Sequence, residues 1–402
     1  MTIDLDIAVP SFPMPRAAHD APPVAYATFR RERPVTRVRL WNGSEAWLVT
    51  RYDDVRMLLS DDRFSAVASA PGYPHVTPGR EVTNRQEPSF IQMDGAEHDR
   101  QRRMVNPDFV VKRVAEMQPR IIAIVDDLLD RLSETERPVD LVSAFALPIP
   151  ALVICEILGV PPEDREYFHD LAAVPLSNAS LDDAASAMTA LKDYLDRLIR
   201  VKEQAPGSDL LSRLAVEHLQ TGALSRAELV SMALLLLVAG HETTANMISL
   251  GTHLFLDHPD QGAVLRTTDD PRVVERAVEE LLRYMTIVQY SPARVATADV
   301  EIGGEVIHAG EGVFALIESA NRDADAFEAP DMFDTTRARR HHVAFGYGRH
   351  QCLGQWLARL ELQVALPALF RRFPNLALAP AHEVRFKYDM TVFGIHELRV
   401  VW

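Results

Sequence analysis

The spacing of apolar and polar positions changes period several times along the chain, and each change marks an element. Between Val35 and Thr50, VTRVRLWNGSEAWLVT alternates with a period of two on either side of Asn42-Gly43. Strand side chains point to opposite faces in turn, and Asn-Gly tolerates the positive φ of a tight turn, so this stretch predicts a hairpin. Tyr52 to Leu59 predicts a short helix, and residues 64–92, rich in Pro, Gly, Ser and Thr, predict a long irregular loop. From Glu97 to about His258 apolar residues recur every three or four positions, as in IIAIVDDLLDRL. ALVICEILGV has the same spacing and stops at Gly159, ahead of Pro161 and Pro162. Ser225-x-x-Glu228 is a capping box that opens one long helix reaching about Asp257. A helix over Pro271 to Tyr284 follows, then short strands in ARVATADVEIGG and EVIHAGEGVFALI, a last helix from Leu353 to Arg372 and the strand-like tail LRVVW. The pattern predicts a single domain over residues 1–402, mainly α with a smaller β region built from both ends of the chain, and an extended arm over residues 1–20.

The net charge of −15 argues against nucleic acid or an anionic membrane surface as the main partner. Only two cysteines occur, Cys155 and Cys352, which fits a reducing cytoplasm better than a disulfide-built scaffold. The start, MTIDLDIAVPSFPMP, lacks a basic lead into an apolar run, so no signal peptide is expected. The most apolar stretch, Leu229 to Gly240, is too short for a membrane span and runs into His241 and Glu242.

The most informative segment is FGYGRHQCLG, Phe345 to Gly354. Cys352 lies in a glycine-rich turn directly ahead of an amphipathic helix. There the helix dipole and free backbone N–H groups favour thiolate over thiol. Gly346, Gly348 and Gly354 permit unusual backbone angles and let a flat ligand approach. A thiolate that pushes electron density onto iron is the haem ligand suited to cleaving an O–O bond. A lone cysteine is more often a small buried apolar residue. That reading suits Cys155, inside ALVICEILGV, and suits Cys352 badly, because its neighbours are glycine, arginine and histidine.

With Phe345, Gly346, Gly348, His350, Cys352 and Gly354 in the pattern F-G-x-G-x-H-x-C-x-G, the chain resembles the cytochrome P450 superfamily along essentially its whole length. It looks closest to actinobacterial monooxygenases fed by a ferredoxin. The resemblance implies the family's triangular-prism fold, with haem b held between the Cys352 helix and a kinked long helix. In AGHETT, Leu236, Gly240, Thr243 and Met247 share one helix face. By resemblance, Ala239 and Gly240 form the dioxygen groove, and Glu242 and Thr243 are the acid–alcohol pair that delivers protons. An apolar core helix with one polar patch is the plainer alternative. A zinc-peptidase helix is excluded, since H-E-x-x-H needs a histidine where Ala245 stands.

Glu280-x-x-Arg283, taken alone, reads as a surface pair worth a few tenths of a kcal/mol (~0.3). The resemblance instead buries it with Arg337 of PDMFDTTR, where Pro330 and Phe333 complete the segment. His98 and Arg102 of HDRQRR read as a solvated basic face; by resemblance they reach the haem propionates together with Arg294 and His350. Leu236, Ile287, Val288, Val392 and Phe393 are expected to line an apolar pocket for a hydrophobic small molecule, in secondary metabolism or xenobiotic conversion. The chain shows no P-loop and no nicotinamide- or flavin-binding segment, so electrons must come from another protein. The expected partners are an acidic ferredoxin with its reductase, dioxygen and substrate, for a cytoplasmic monomer. The ferredoxin would meet a basic patch of Arg102, Arg103, Lys112, Arg113, Arg339, Arg340 and Arg349. Two rivals stand beside this reading: a haem-thiolate nitric oxide reductase taking electrons directly from a nicotinamide cofactor, and a non-catalytic haem-binding protein.

Overall fold

The computed structural model describes residues 9–79, 81, 88–165, 167–168, 171, 181–338 and 340–402. Parts of two expected features, the arm over 1–8 and the loop at 80 and 82–87, lie outside the described residues, as does Arg339. Helices dominate, and sheets are small. Five helices matter for function: α1 (Tyr52–Ser60), α2 (Gly95–Val105), α3 (Arg226–Asp257), α4 (Pro271–Met285) and α5 (Gln355–Arg372). The main sheet has five strands: β1 (Val35–Arg39), β2 (Glu45–Val49), β3 (Phe64–Ser65), β4 (Ala293–Ala296) and β5 (Gly312–Ala315).

The chain divides into two compact units, each assembled from separated segments. The first comprises residues 1–95, 250–355 and 385–396. Its sheet runs in the order β1-β2-β5-β4-β3. The expected hairpin is present, with Val35 opposite Val49 and Arg39 opposite Glu45. Gly43 has a φ of +83° at its turn, the angle that makes glycine the fitting residue there. Residues 10–12 run along this sheet: the Arg39 amide donates to the Pro10 carbonyl, the Phe12 amide donates to the Arg39 carbonyl, and the Phe12 ring is buried among Val38, Leu48 and Phe314.

The second unit comprises residues 96–249, 356–384 and 397–402 and is mostly helical, with one small three-stranded sheet. The predicted helices appear over Gln118–Glu134 and Pro148–Leu158, the latter capped by Gly159 in a left-handed conformation. The strand-like tail is present as a strand. Arg399–Val401 does not join the hairpin's sheet; it pairs with Val139–Asp140 on one side and Ala377–Leu378 on the other. Asp140 fixes that junction by accepting from the Val142 and Leu398 amides at 3.1 and 2.9 Å.

Helix α3 carries the capping box as read. The Glu228 amide donates to Ser225 Oγ at 3.2 Å and the Ser225 amide to Glu228 Oε2 at 2.7 Å. Among the described residues it is the one helix long and apolar enough to cross a membrane, and 72% of its apolar window is buried inside the protein. Burial on that scale is what a core helix requires.

Candidate active site

Cys352 lies three residues ahead of α5, in a loop whose path its glycines set. The Gly346 amide donates to the Val343 carbonyl at 2.8 Å, and the Cys352 amide to the Phe345 carbonyl at 2.9 Å. Gly346 and Gly348 have φ of +70° and +72°, conformations that an L side chain adopts only at a cost. At Gly348 there is also no room: an added Cβ would lie 2.3 Å from the Leu59 carbonyl oxygen of α1. Gly346 and Gly354 differ, because an added Cβ at either meets no atom within 4 Å. Cys352 is exposed, whereas Cys155 is buried, with burial pushing its thiol up to about 12. Of the two cysteines, Cys352 is therefore the exposed one, beside backbone that a flat ligand can approach.

Cationic groups sit close by in the same unit. Arg294, on β4, is 7% exposed. Its one side-chain hydrogen bond among the described residues runs from Nη1 to the Ala293 carbonyl at 2.7 Å. Burial pushes its pKa down, with Tyr73 and Asp94 acting in the opposite sense. A cavity of about 240 Å³ opens between Arg294, His350, Arg349, Asp94, Gly95 and Phe64. A guanidinium so withdrawn from water and so little satisfied calls for an anion, and a carboxylate matches its geometry. An exposed cysteine, open glycine backbone and a buried cation are the donor set that a flat, dianionic haem requires; the residues fit the group.

Sequence reasoning missed Asp94. His350 Nε2 lies 3.5 Å from Asp94 Oδ1, Ser65 Oγ donates to Oδ2, and the Ala66 amide donates at 3.1 Å. Burial raises the Asp94 carboxyl, but these hydrogen bonds more than reverse that and hold it at about 2. His350 thus has a carboxylate partner inside the chain. An acid just ahead of α2 reads along the sequence as a helix cap; only the folded chain shows its oxygens turned to Ser65 and His350. On α2, His98 is 1% exposed, so the solvated reading of that residue is wrong; its Nδ1 lies 3.0 Å from Asp99 Oδ1. Arg102, one turn on, is half-buried.

In α3 the expected kink does not appear as a break: the helix is continuous from Arg226 to Asp257. Instead the Thr243 hydroxyl donates to the Ala239 carbonyl at 2.6 Å, a bond from side chain to the preceding turn. Within this mostly buried helix Ala239 is exposed, and Gly240 and Thr243 are partly so. A Cβ added at Gly240 would find its nearest neighbour, Ile154 Cδ1, 4.0 Å away. Glu242 is 7% exposed. The open positions fall on one stripe of the helix, as their spacing requires.

Glu280 and Arg283 are buried on α4, at 4% and 2% exposure. Arg283 donates to both Glu280 oxygens at 2.8 Å, and Arg337 Nε donates to the same two at 3.1 and 3.0 Å. The remaining Arg283 donors reach the carbonyls of Asn321, Pro330 and Met332. Asn321, unsuspected from sequence, extends this cluster: its Nδ2 donates to Thr286 Oγ1 at 2.8 Å and its Oδ1 accepts from the Val343 amide at 2.8 Å. Since Val343 in turn accepts from Gly346, the cluster ties α4 to the loop that ends at Cys352.

The expected pocket wall divides. Ile287 and Leu236 are nearly buried, and Val288 and Val392, which pair across an isolated bridge, are partly exposed. Phe393 is a correction. It is wholly buried, its ring stacked on Phe386 at 5.9 Å and covered by the Arg16 guanidinium at 4.4 Å. Phe393 is thus packed into the fold, whereas Val392 keeps part of its exposure. Next to Val288, Gln289 is buried and accepts from Arg16 Nε at 2.6 Å.

The sequence model of the family described as Cytochrome P450 matches residues 168–401. Over 399 residues the chain is 48% identical to cytochrome P450-SU2 of Streptomyces griseolus, covering 98% of this chain and 97% of that protein. The crystal structure of GfsF is similar with a TM-score of 0.94 and 45% identity, over 98% of this chain and 100% of that one. That of the mycinamicin VIII C21 methyl hydroxylase MycCI from Micromonospora griseorubida, bound to mycinamicin VIII, gives 0.90 and 42%, over 98% and 100%. On the strength of that coverage and of the residues above, this chain belongs to the cytochrome P450 family, as a haem b monooxygenase that uses dioxygen and a redox partner to hydroxylate a hydrophobic small molecule.

Proposed function

We propose that the whole chain, residues 1–402, acts as one catalytic domain in which Cys352 is the thiolate ligand of the haem iron. The observation that carries this is the exposure of Cys352 beside the open backbone at Gly346 and Gly354. Arg294, Arg102, His98 and His350 hold the propionates, with Phe345 packing beside the loop. Bound haem supplies the reductive activation of dioxygen and the oxidising power for hydroxylation. The residues of this chain position and feed that chemistry. Ala239 and Gly240, with little or no side chain, leave room over the helix. Because the Thr243 hydroxyl donates its own proton to Ala239, its oxygen is left as an acceptor that can hold a water or another protonated group in place. Glu242, in the adjacent position, supplies protons from the solvent side. Leu236, Ile287, Val288 and Val392 bring apolar surface to a hydrophobic substrate of the macrolide, terpenoid or steroid-like class.

This reading predicts that Thr243→Ala continues to consume dioxygen while hydroxylated product per reducing equivalent falls by ~10- to 100-fold and hydrogen peroxide release rises. Product and peroxide, measured together against electrons consumed, check it. Unchanged coupling would remove Thr243 from the proton path. Rapid nitric oxide consumption with NADH alone, and no turnover with a ferredoxin system, would replace the assignment altogether.

We also propose that the electron donor is an acidic ferredoxin with its reductase, in the cytoplasm, and that the protein works as a monomer. Arg103, Lys112, Arg113, Arg340 and Arg349 are exposed, although Arg113 pairs with Glu116 and Arg349 with Asp62. Reduction by ferredoxin should therefore be fastest at low salt and slow as the Debye length contracts toward ~10 Å near 0.1 M. Arg103→Glu should slow it several-fold at low salt and leave the high-salt rate unchanged in stopped-flow reduction. Indifference to both ionic strength and charge reversal would exclude this surface.

A further inference from the structure

We propose that His19, His253 and Asp257 form a site for a divalent transition metal of the zinc class, which staples the amino-terminal segment to the end of α3.

The three residues converge from two distant parts of the chain within the first unit. His253 and Asp257 are one turn apart at the carboxy-terminal end of α3 and so lie on one face of it. His253 Nδ1 is 3.1 Å from Asp257 Oδ2, and His19 Nε2 is 3.4 Å from the same oxygen. All three ligand atoms lie within 4.8 Å of one another. Zinc–nitrogen and zinc–oxygen bonds of about 2.0–2.1 Å place neighbouring ligand atoms of a tetrahedron roughly 3.3 Å apart. Two of the three edges therefore already have a zinc site's length, and the third is no longer than 4.8 Å.

The ligands are also held in place independently of any ion. The His19 ring stacks on Phe386 at 4.8 Å with an interplanar angle of 12°, and the His253 ring stands edge-on to both, at 5.4 and 5.0 Å. The backbone beside His19 is anchored: Arg322 Nη2 donates to the Asp20 carbonyl at 2.8 Å, and Arg16 Nη1 to that of Ala21 at 3.0 Å. Such preorganisation lowers the entropic cost of binding. The His19 and Asp257 side chains keep 35% and 37% of their exposure, so an ion can enter and a fourth position remains for water.

Electrostatics favour a cation at this point. The carbonyls at the end of a long helix carry partial negative charge. The Asp257 carboxylate faces both imidazoles, its Oδ2 lying 3.1 Å from His253 Nδ1 and 3.4 Å from His19 Nε2, and it supplies the acidic oxygen of the set. Two imidazoles and one carboxylate select a borderline-soft ion, since magnesium and calcium prefer all-oxygen sites. The rival arrangement is a metal-free cluster in which both rings simply donate to Asp257. It has the same residues and no affinity for zinc, which makes the two separable.

The test is calorimetric titration of the tag-free, haem-loaded protein with zinc chloride and, in parallel, with magnesium chloride. One equivalent of zinc should bind, and magnesium should give no saturable heat. His19→Ala and Asp257→Asn should each weaken zinc binding by more than ~10-fold, the least that disturbing a metal's surroundings costs. At free zinc ~100-fold above Kd, Tm should rise by about 2–4 °C in the unaltered protein and not in either variant. Both variants should retain the red-shifted Soret band of the reduced carbon monoxide complex, showing that lost binding is not lost folding. No saturable zinc binding, equal binding of magnesium, or full zinc affinity in His19→Ala would each overturn the proposal.

Discussion

Cys352→Ser should abolish the strongly red-shifted Soret band of the reduced carbon monoxide complex, while Cys155→Ala should leave it intact. The two cysteines differ in the one respect that matters for ligation, access to their sulfur as thiolate. Cys155 is packed in an apolar helix, where burial raises its thiol to about 12, so it stays protonated at any working pH. Cys352 is exposed ahead of α5, where the helix dipole lowers the cost of a negative sulfur. Serine keeps the size and the backbone of the loop but cannot provide a thiolate, so the loss is spectroscopic before it is structural. Circular dichroism should show the same helical content in both variants. A Cys352→Ser protein that keeps the band would mean that another group holds the iron.

Glu280→Ala should lower stability by about 3–5 kcal/mol, equivalent to ~4–6 °C in Tm for a chain of this size, and should reduce the haem retained on purification. The glutamate accepts from two guanidinium groups, Arg283 and Arg337, whose side chains are 3% and 14% exposed. Removing it strands both positive charges away from water and frees the Asp334 amide, which donates to Glu280 Oε1 at 3.0 Å. The effect reaches the haem loop through Arg283, the Asn321 carbonyl and the Val343 amide bound to Asn321. Arg113 and Glu116 provide the internal control. They have the same i,i+3 spacing but keep 58% and 48% of their exposure. Glu116→Ala should cost less than ~0.5 kcal/mol. Thermal melts of the two variants, with haem content read from absorbance, compare burial at constant spacing. Equal losses would deny the Glu280 cluster its structural weight.

That comparison also shows where reading along the chain stops. Glu280–Arg283 and Arg113–Glu116 look alike as residue pairs, and nothing local distinguishes a buried pair from a wet one. The difference lies in Arg337, Asn321 and the carbonyls around them, which arrive from other elements. Features that depend on neighbours in sequence were legible. The Asn42-Gly43 hairpin, the Ser225–Glu228 capping box, the Gly159 stop and the glycine-framed Cys352 loop all follow from backbone angles and spacing within a few residues. The family motif placed the chemistry on Cys352 for the same reason: its pattern is local.

What distance decides could not be read in this way. Asp94 becomes a partner of His350 because β3 brings Ser65 and Ala66 to its carboxylate. Phe393 leaves the pocket wall because Arg16 and Phe386 close over its ring. The tail LRVVW pairs with Val139–Asp140, a choice of partner that strand periodicity does not encode. His253 and Asp257 announce a metal-ligand spacing on α3, but their third ligand, His19, comes from the other end of the chain. Local pattern sets what each segment becomes, since capping, turn angles and side-chain direction act over one or two turns. Which charged groups lose their water, and against whom, is settled only when segments far apart in sequence are packed together, because desolvation and pairing depend on every neighbour at once.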